Sequence, residues 1–184
     1  MPGSGKTTLA KQISSKFSLP LIEKDIIKEL LFDSLGWSNR EWSKKLGTAT
    51  YDLMDYFVEQ QLSNKRSIII ESNFKPEFDN LKFQQWKNTY NYKIIQVVCS
   101  ADNEILYERF MARAKSGERH PGHVDVISAV EWKEYFSDPK NSIGPIDVES
   151  SIIKVNTSDF LEINIDEIMD FISVQWTKSS KLVH

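Results

Sequence analysis

Hydrophobic residues along the chain alternate between short unbroken runs and longer stretches with helical spacing. A short apolar run bounded by polar residues predicts a strand that is buried on both faces, as in a parallel sheet. Apolar residues spaced three and four apart predict an amphipathic helix. Four runs predict strands over residues 21–22, 67–71, 93–99 and 152–155. Helical stretches separate these runs, so the pattern predicts one doubly wound α/β domain.

The helical stretches also predict which side chains are buried. Residues 38–41, Ser-Asn-Arg-Glu, form a capping box that opens a long helix. The apolar face predicted for that helix comprises Trp42, Leu46, Ala49, Leu53 and Phe57. The next helix is predicted to bury Phe78, Leu81 and Trp86, and the last helix to bury Ile168, Met169 and Ile172.

Composition narrows the class of protein without naming a function. The chain has 184 residues, 40% hydrophobic and 27% charged, which is ordinary for a single globular domain. Its formal net charge of −3 provides no global basic field for nucleic acid, although a local basic patch remains possible. Partners of the nucleic-acid class are therefore not expected.

The single cysteine and the lack of long apolar runs predict the cellular compartment of the protein. The single cysteine, Cys99, lies in an apolar run and predicts a buried thiol in a reduced compartment. No run reaches membrane-spanning length, and no signal-peptide hydrophobic region is found at the amino end. We expect a cytoplasmic protein with no membrane partner.

The strongest chemical signal is the amino-terminal segment Pro-Gly-Ser-Gly-Lys-Thr-Thr, residues 2–8. It matches the end of the phosphate-binding P-loop pattern, in which glycines let successive N–H groups turn toward a phosphate. Lys6 is then expected to reach the terminal phosphates, and Thr7 to place its hydroxyl on Mg²⁺. The candidate nucleotide-binding residues of this loop are Gly3, Ser4, Gly5, Lys6, Thr7 and Thr8. A Gly-Ser turn that happens to precede a helix is the alternative.

Two parts of the full P-loop pattern are not found in this sequence. The first glycine would lie two residues before Pro2, and the strand that should lead into the loop is absent. Without that central strand, buried backbone groups would stay unpaired, each at a cost of about 1–3 kcal/mol. We therefore expect the natural reading frame to start upstream, which an intact-mass measurement of the endogenous protein tests.

Two acidic residues follow predicted strands, where ligands bind in open α/β sheets. Asp25 follows the first strand and is a candidate catalytic base near the γ-phosphate, although it could simply cap the next helix. Glu71 ends an Ile-Ile-Ile run in the manner of a Walker B acid, which would hold the Mg²⁺ hydration shell or contact a substrate hydroxyl. An ordinary salt bridge at the sheet edge is the alternative for Glu71. Residues 156–158, after the last strand, are expected near the nucleotide base.

Residues 109–125 are polar, basic and glycine-containing, and they predict a mobile lid segment over the phosphate site. Arg109 and Arg113 are four residues apart and share a helix face. A closing arginine would stabilise the charge on a transferring phosphoryl group. His120 and His123 lack a third metal ligand at a suitable spacing, so substrate contact or a structural turn is expected instead. A solvated helix face with a surface loop is the alternative for the segment.

Taken together, these motifs resemble those of the bacterial P-loop kinases grouped as AAA-domain ATP-binding proteins. That group is similar to zeta-toxin-like, chloramphenicol phosphotransferase and adenylate or shikimate kinase-type enzymes. The motif Gly-Glu-Arg-His-Pro-Gly-His, residues 117–123, carries most of the likeness. The resemblance implies a three-layer P-loop NTPase fold with a five-stranded parallel sheet flanked by helices, here without its first strand. It also implies an ATP- and Mg²⁺-dependent phosphotransferase.

The resemblance assigns roles to residues of this chain. Asp25 corresponds to the base for the substrate hydroxyl, Thr7 to the Mg²⁺ ligand, and Arg113 with Arg119 to the lid arginines. Lys6 completes the catalytic set, and Arg109 is expected to bind the nucleotide. The residues expected to contact a small-molecule hydroxyl substrate are Glu71, Asn73, His120 and His123. A nucleotide-dependent switch protein, a polynucleotide kinase and a toxin that acts on sugar nucleotides remain alternatives.

Overall fold

The computed structural model describes residues 1–124, 129–138, 141 and 144–180. Helices and strands alternate through most of this part of the chain, as the hydrophobic pattern predicts. The strands are β1 (Leu21–Glu23), β2 (Ile69–Glu71), β3 (Ile95–Ser100) and β4 (Ser151–Asn156). The α-helices are α1 (Lys6–Phe17), α2 (Lys24–Leu35), α3 (Arg40–Ser63), α4 (Pro76–Tyr90), α5 (Asn103–Ser116), α6 (Ala129–Ser137) and α7 (Ile165–Ser180).

The strands form two parallel pairs. β1 pairs with β2 so that Glu23 lies opposite Glu71, and β3 pairs with β4 so that Ser100 lies opposite Asn156. Within the described residues, β2 and β3 are not paired with each other, so the expected five-stranded sheet is represented by four strands in two pairs. Each pair ends on polar residues at its carboxyl end, and the strand expected before the P-loop stays a prediction.

Helices cover both faces of the strands, because successive strand residues point to opposite sides. Ile69 packs against a core cluster centred on α1 and α7, whereas Ile70 packs against a second cluster centred on α3 and α4. Cys99 and Val155, on β3 and β4, belong to the first cluster. The architecture is therefore a three-layer α/β sandwich, as the sequence predicts, and the thiol of Cys99 is buried as expected.

A third, smaller cluster joins α5 to α6 beside the amino end of the chain. Leu106, Phe110 and Phe136 are each about 1% exposed, and Met1 packs against them. Because α5 packs into this cluster, Arg109 is held close to the amino-terminal loop, where a Cβ atom on Gly3 would lie 3.5 Å from Cβ of Arg109. The cluster thereby connects the beginning of the predicted lid segment to the predicted phosphate site.

The buried face of α3 differs from the predicted stripe. Leu53 and Phe57 are 39% and 47% exposed, so the prediction that they belong to the core is wrong. Small polar residues are buried instead because they are hydrogen-bonded: Ser43 accepts from the Nζ of Lys28, and Thr50 donates to a backbone carbonyl of its own helix. The buried face consists of Ser43, Leu46, Thr50, Met54, Val58 and Leu62.

The buried face of α4 also differs from the predicted one. Phe78 and Leu81 are about 70% exposed, whereas Trp86 is buried as predicted. Asp79 is buried because its carboxylate accepts the Lys75 backbone N–H at 2.7 Å, at the first turn of the helix. A satisfied carboxylate therefore occupies the face that the apolar pattern assigned to Phe78. None of the helices in the described residues is both long enough and apolar enough to cross a membrane.

Candidate nucleotide-binding and phosphoryl-transfer site

The amino-terminal loop has the backbone geometry of a phosphate-binding loop. Gly3 and Gly5 have φ angles of 77° and 72°, in the left-handed region that favours glycine. Gly5 is the N-cap of α1, so the free N–H groups of the first helical turn point toward the mouth of the loop. A Cβ atom on Gly3 would lie 2.9 Å from the carbonyl oxygen of Leu106, which leaves no room for a larger residue.

A buried hydroxyl fixes this loop to the end of the β3–β4 pair. Ser4 is fully buried, and its carbonyl oxygen lies 3.1 Å from Oγ1 of Thr157. The same hydroxyl lies 2.9 Å from the carbonyl oxygen of Ser100, so one proton is shared between two acceptors. The structure thus shows Thr157 supporting this loop, and the expected position of residues 156–158 near the nucleotide base stays a prediction.

Lys6 lies inside the loop with its ammonium group bound to backbone oxygen. Its Nζ atom is 2.8 Å from the carbonyl oxygen of Met1 and 3.9 Å from Oε1 of Glu71. Burial lowers the pKa of Lys6, and the nearby Glu71 carboxylate opposes that shift. The ammonium group is thus held inside the loop by oxygen atoms of the protein, and its contact with a terminal phosphate stays a prediction.

Thr7 and Glu71 meet at the mouth of the loop although they are 64 residues apart in sequence. The Thr7 hydroxyl donates to Oε2 of Glu71 at 3.0 Å. Parallel pairing of β1 with β2 brings the tip of β2 beside α1, which explains why Glu71 reaches Thr7. A hydroxyl and a carboxylate are hard oxygen donors of the kind that Mg²⁺ prefers, so this pair fits the predicted magnesium site. Among the residues that the structure describes, no group of three or more His, Cys, Asp or Glu side chains could hold a metal ion.

Asp25, at the start of α2, lies between two cations. Its Oδ1 atom is 3.1 Å from Nζ of Lys24, and its Oδ2 atom is 3.0 Å from Nη1 of Arg119. Burial acts to raise the pKa of Asp25, but Lys24 and Arg119 outweigh it and hold the pKa well below its usual range. The carboxylate is therefore ionised throughout the physiological pH range. It is better suited to accept a hydrogen bond from a hydroxyl group than to take up the proton at an early stage of a reaction.

Arg109 is held by the backbone beyond β4. Its guanidinium donates to the carbonyl oxygens of Thr157 and Ser158 at 2.7 and 2.8 Å, and it lies 4.1 Å from the centre of the Phe160 ring. The ring also lies against Gly5, where a Cβ atom would be 2.5 Å from Cε1 of Phe160. Phe160 therefore forms a wall of the site that the sequence did not suggest.

One open cavity of about 240 Å³ brings the predicted residues together. Twelve of the fourteen predicted site residues line it, including the P-loop, Asp25, Glu71 and the three arginines. The cavity is lined by Pro2, Gly3, Ser4, Gly5, Lys6, Thr7, Thr8, Lys24, Asp25, Glu71, Ser72, Asn73, Arg109, Arg113, Arg119 and Phe160. The two that do not line it are His120 and His123.

The histidines of the 117–123 motif contact α2 instead of the cavity. Nε2 of His120 lies 3.2 Å from Asp33, and its Nδ1 accepts the Gly122 backbone N–H at 2.9 Å. Nε2 of His123 lies 2.9 Å from Oε1 of Glu29. Both imidazoles are thus engaged by the protein, as the interpretation of a structural turn expects, and substrate contact by His120 and His123 stays a prediction. Of the predicted lid segment, Asp125 lies outside the described residues.

Gly122 explains why this loop approaches α2 so closely. A Cβ atom at Gly122 would lie 2.6 Å from the ring of Phe32, which is buried in α2. The His120 ring stacks on the same Phe32 ring at a centroid distance of 5.1 Å. The loop is therefore packed onto α2 in this structure by one aromatic ring as well as by polar contacts.

Comparison with known proteins agrees with this geometry. Residues 1–139 match the family described as AAA domain. The chain belongs to the AAA domain family. A proposed kinase from Chloroflexus aurantiacus J-10-fl is similar to this AAA domain protein, with 30% identity and a TM-score of 0.82 over 94% of this chain and 92% of that chain.

A second solved structure is far less similar to this AAA domain protein. It is a gluconokinase from Sinorhizobium meliloti 1021, with 15% identity and a TM-score of 0.49 over 99% of this chain and 93% of that chain, too distant to inform function. No curated protein matches the sequence. The family and this neighbour together show a P-loop NTPase fold.

Four residues of the cavity were not among the predicted site residues: Pro2, Lys24, Ser72 and Phe160. Lys24 precedes Asp25 directly, and the Glu-Lys-Asp sequence offered a signal for an ion pair at that strand end. Phe160 offered none, since an isolated aromatic residue after a strand is more often part of the core. Only the packing of the loop after β4 against Gly5 shows its place.

Proposed function

We propose that this protein is an ATP-dependent phosphotransferase that moves the γ-phosphoryl group of ATP to a hydroxyl group of a small molecule. The single observation that carries the proposal is the cavity in which a P-loop lysine, an ionised aspartate and two lid arginines face one another. Nucleotide binding alone would need the loop but not Asp25. The carboxylate between Lys24 and Arg119 favours transfer to an acceptor over simple storage of nucleotide.

The amino-terminal loop is the proposed site for the phosphates of ATP. Its backbone N–H groups and the Lys6 ammonium supply positive charge, and the adjacent start of α1 adds the favourable end of a helix dipole. Thr7 and Glu71 are the proposed ligands, direct or through water, of Mg²⁺. A bound Mg²⁺ would neutralise the charge of the β- and γ-phosphates.

Asp25 is proposed to orient the acceptor hydroxyl. The carboxylate accepts the hydroxyl proton in a hydrogen bond, the acceptor oxygen forms a bond to the γ-phosphorus, and the bond from that phosphorus to the β,γ-bridging oxygen breaks. The hydroxyl proton leaves late, first to Asp25 and then to water, which agrees with the low pKa of Asp25 and with a loose transition state. Arg113 and Arg119 stabilise the charge on the transferring group.

The acceptor is proposed to bind between Asp25 and the loop that follows β2. The Oδ1 atom of Asn73 is buried at the cavity wall and accepts no hydrogen bond from the described residues, so it offers an acceptor for a second hydroxyl. The neighbouring Ser72 hydroxyl is held by Tyr51 at 3.2 Å. Polar groups at this wall suit a compound with more than one hydroxyl group.

The test is a screen of sugars, nucleosides, antibiotics and sugar nucleotides for acceptor-dependent ADP production with Mg·ATP. We expect Lys6→Ala to abolish turnover and Lys11→Ala, an exposed lysine of the same helix, to retain it. We expect Asp25→Asn to lower kcat by about a hundredfold while ATP binding is kept. Asp33→Asn, two turns along α2, is the matched control.

Two results would overturn the proposal. Unchanged phosphoryl transfer by Asp25→Asn would remove its proposed role. Folded protein that shows no affinity for ATP by calorimetry, with magnesium present, would remove the function as a whole. If the protein bound a protein partner in a nucleotide-dependent manner and phosphorylated no acceptor, the alternative of a nucleotide-dependent switch protein would be favoured instead.

A further inference from the structure

Three carboxylates on one face of α2 contact the loop formed by residues 117–123, which we call the lid loop. Asp25, Glu29 and Asp33 are four residues apart, so they lie above one another on the helix. They pair with Arg119, His123 and His120, at 3.0, 2.9 and 3.2 Å respectively. The order of these contacts leads from the cavity to the surface.

The middle contact continues to the cavity through the imidazole of His123. Nδ1 of His123 lies 3.2 Å from Nη2 of Arg119, and a guanidinium only donates hydrogen bonds. Nδ1 is therefore the acceptor, and Nε2 carries the ring proton and donates it to Oε1 of Glu29. The tautomer of His123 is thus determined by the groups on its two sides.

The other nitrogen of the same guanidinium reaches the proposed catalytic carboxylate. Nη1 of Arg119 donates to Oδ2 of Asp25 at 3.0 Å. One continuous chain of hydrogen bonds therefore runs from Glu29 through His123 and Arg119 to Asp25. The His123 side chain at the centre of this chain is only 4% exposed.

We propose that His123 and Glu29 are positioning residues that orient the Arg119 guanidinium onto Asp25 when the lid loop is docked on α2. This proposal rests on the proposed phosphotransferase function, because Arg119 and Asp25 are its catalytic residues. Docking of the lid loop brings Arg119 to Asp25, and the hydrogen bonds of His123 and Glu29 then determine the orientation of its guanidinium. Phosphoryl transfer that depends on Arg119 therefore takes place only when the lid loop is docked on α2.

The contact between His120 and Asp33 holds the lid loop on α2 but does not orient Arg119. It belongs to the same loop and the same helix face, but Asp33 is 67% exposed and the structure gives no contact of His120 with Arg119. Loss of this contact weakens docking without changing the partners of the guanidinium. Asp33→Ala is therefore a matched control for Glu29→Ala.

The charges around His123 favour the neutral ring that this chain requires. Burial and the cation of Arg119 lower the pKa of His123 to about 3. Lys24 and Lys28, on α2, act in the same direction, whereas Asp25 opposes them. Glu29, the hydrogen-bond partner from α2, accepts the ring proton. The acceptor nitrogen therefore stays available to Arg119 at neutral pH.

The first experiment reports on the geometry and needs no activity. In ¹⁵N NMR of the histidine side chains, we expect the His123 ring to be neutral, with its single proton on Nε2. We expect Nδ1 to stay unprotonated down to pH 5. Arg119→Ala should raise the pKa of His123, because it removes a neighbouring cation. A His123 that titrates near its ordinary pKa, or that populates both tautomers, overturns the proposal even if the protein is an active kinase.

The second experiment measures ADP release from Mg·ATP in a double-mutant cycle. We expect His123→Phe, which keeps an aromatic ring against Phe32, to lower kcat by about tenfold or more with little change in KM for ATP. The same substitution in an Arg119→Ala background should cost nothing further, since its effect is exerted through that arginine. His123→Asn, whose amide oxygen can take the place of Nδ1, should restore much of the lost rate.

The controls separate positioning from stability. Thermal melts of Glu29→Ala and Asp33→Ala should show similar small losses, whereas only Glu29→Ala should lower kcat. Equal kcat losses in these two variants, or additive losses of His123→Phe and Arg119→Ala, would show a merely structural role. A wild-type protein without any ADP release or ATP binding would instead refute the proposed function, and the NMR result would still decide the geometry.

Discussion

The Thr157 hydroxyl lies 3.1 Å from the carbonyl oxygen of Ser4, a contact between residues 153 positions apart. Both residues are buried, at about 1% and 0% exposure. The contact fixes the phosphate loop to the carboxyl end of the β3–β4 pair. It shows that the conformation of the loop depends on the far end of the chain as well as on its own glycines.

Thr157→Val keeps the shape of the side chain but removes this donor. We expect a loss of about 1–3 kcal/mol in the free energy of unfolding, because the Ser4 carbonyl is left buried without its partner. Affinity for ATP should fall as well, since the loop is no longer held. Urea denaturation and calorimetry measure the two effects, and Thr177→Val, at an exposed hydroxyl of α7, is the control. Unchanged stability of Thr157→Val would contradict the anchoring role.

Glu71→Gln tests the magnesium site. The amide keeps the size of the side chain but weakens an oxygen ligand of the proposed Mg²⁺, so the Mg²⁺ concentration for half-maximal activity should rise by about 10–100-fold. Glu23→Gln is the matched control, because Glu23 lies opposite Glu71 in the β1–β2 pairing and its carboxylate pairs with Lys11. A magnesium titration with the same shift in both variants would argue against a specific role of Glu71.

Gly122→Ala tests the packing of the lid loop. The new methyl group would meet the Phe32 ring at 2.6 Å, so the loop or the ring must move, at a cost of about 1–3 kcal/mol. Turnover should fall with stability, because Arg119 moves with the loop. Gly144→Ala, where nothing lies within 4 Å, should change the unfolding free energy by less than about 0.5 kcal/mol. Equal effects of the two variants in urea melts would refute the close approach.

The pH dependence of stability tests the buried state of His123. Its folded-state pKa of about 3 lies below the ordinary value of 6.5, so the unfolded chain binds the extra proton between these values. His123 therefore contributes to stability at neutral pH, and that contribution is lost as pH falls below about 6.5. From pH 7 to pH 4.5 the wild type should lose about 2–3 kcal/mol more than His123→Phe. Parallel losses in urea melts would show that His123 is not held neutral.

The sequence predicted the four strands and the acids at the tips of the first two because these are local signals. Glu71 follows an apolar run directly, Asp25 follows one after two residues, and parallel strands end at the same edge of a sheet. The P-loop was predicted for the same reason, since its glycines, lysine and threonine are consecutive. Twelve of the fourteen predicted site residues accordingly line one cavity.

The faces of α3 and α4 could not be predicted from local pattern alone. Apolar residues surround much of each helix, so spacing indicated a helix without determining which side is buried. Phe57 and Phe78 are exposed because hydrogen bonds made by Ser43, Thr50 and Asp79 allow polar residues to occupy the core face. These hydrogen bonds depend on how the helix ends and neighbouring helices are arranged, which the hydrophobic pattern does not contain.

By itself the sequence determined the phosphate loop, the α/β layering and the chemical types of the site residues, because each depends on neighbours within a few positions. Only the tertiary structure decided what the residues of the 117–123 motif do. His120 and His123 contact carboxylates on α2, 87 and 94 residues away in the chain. Such pairings depend on the packing of separate elements, and a spacing of three residues between two histidines carries no information about it.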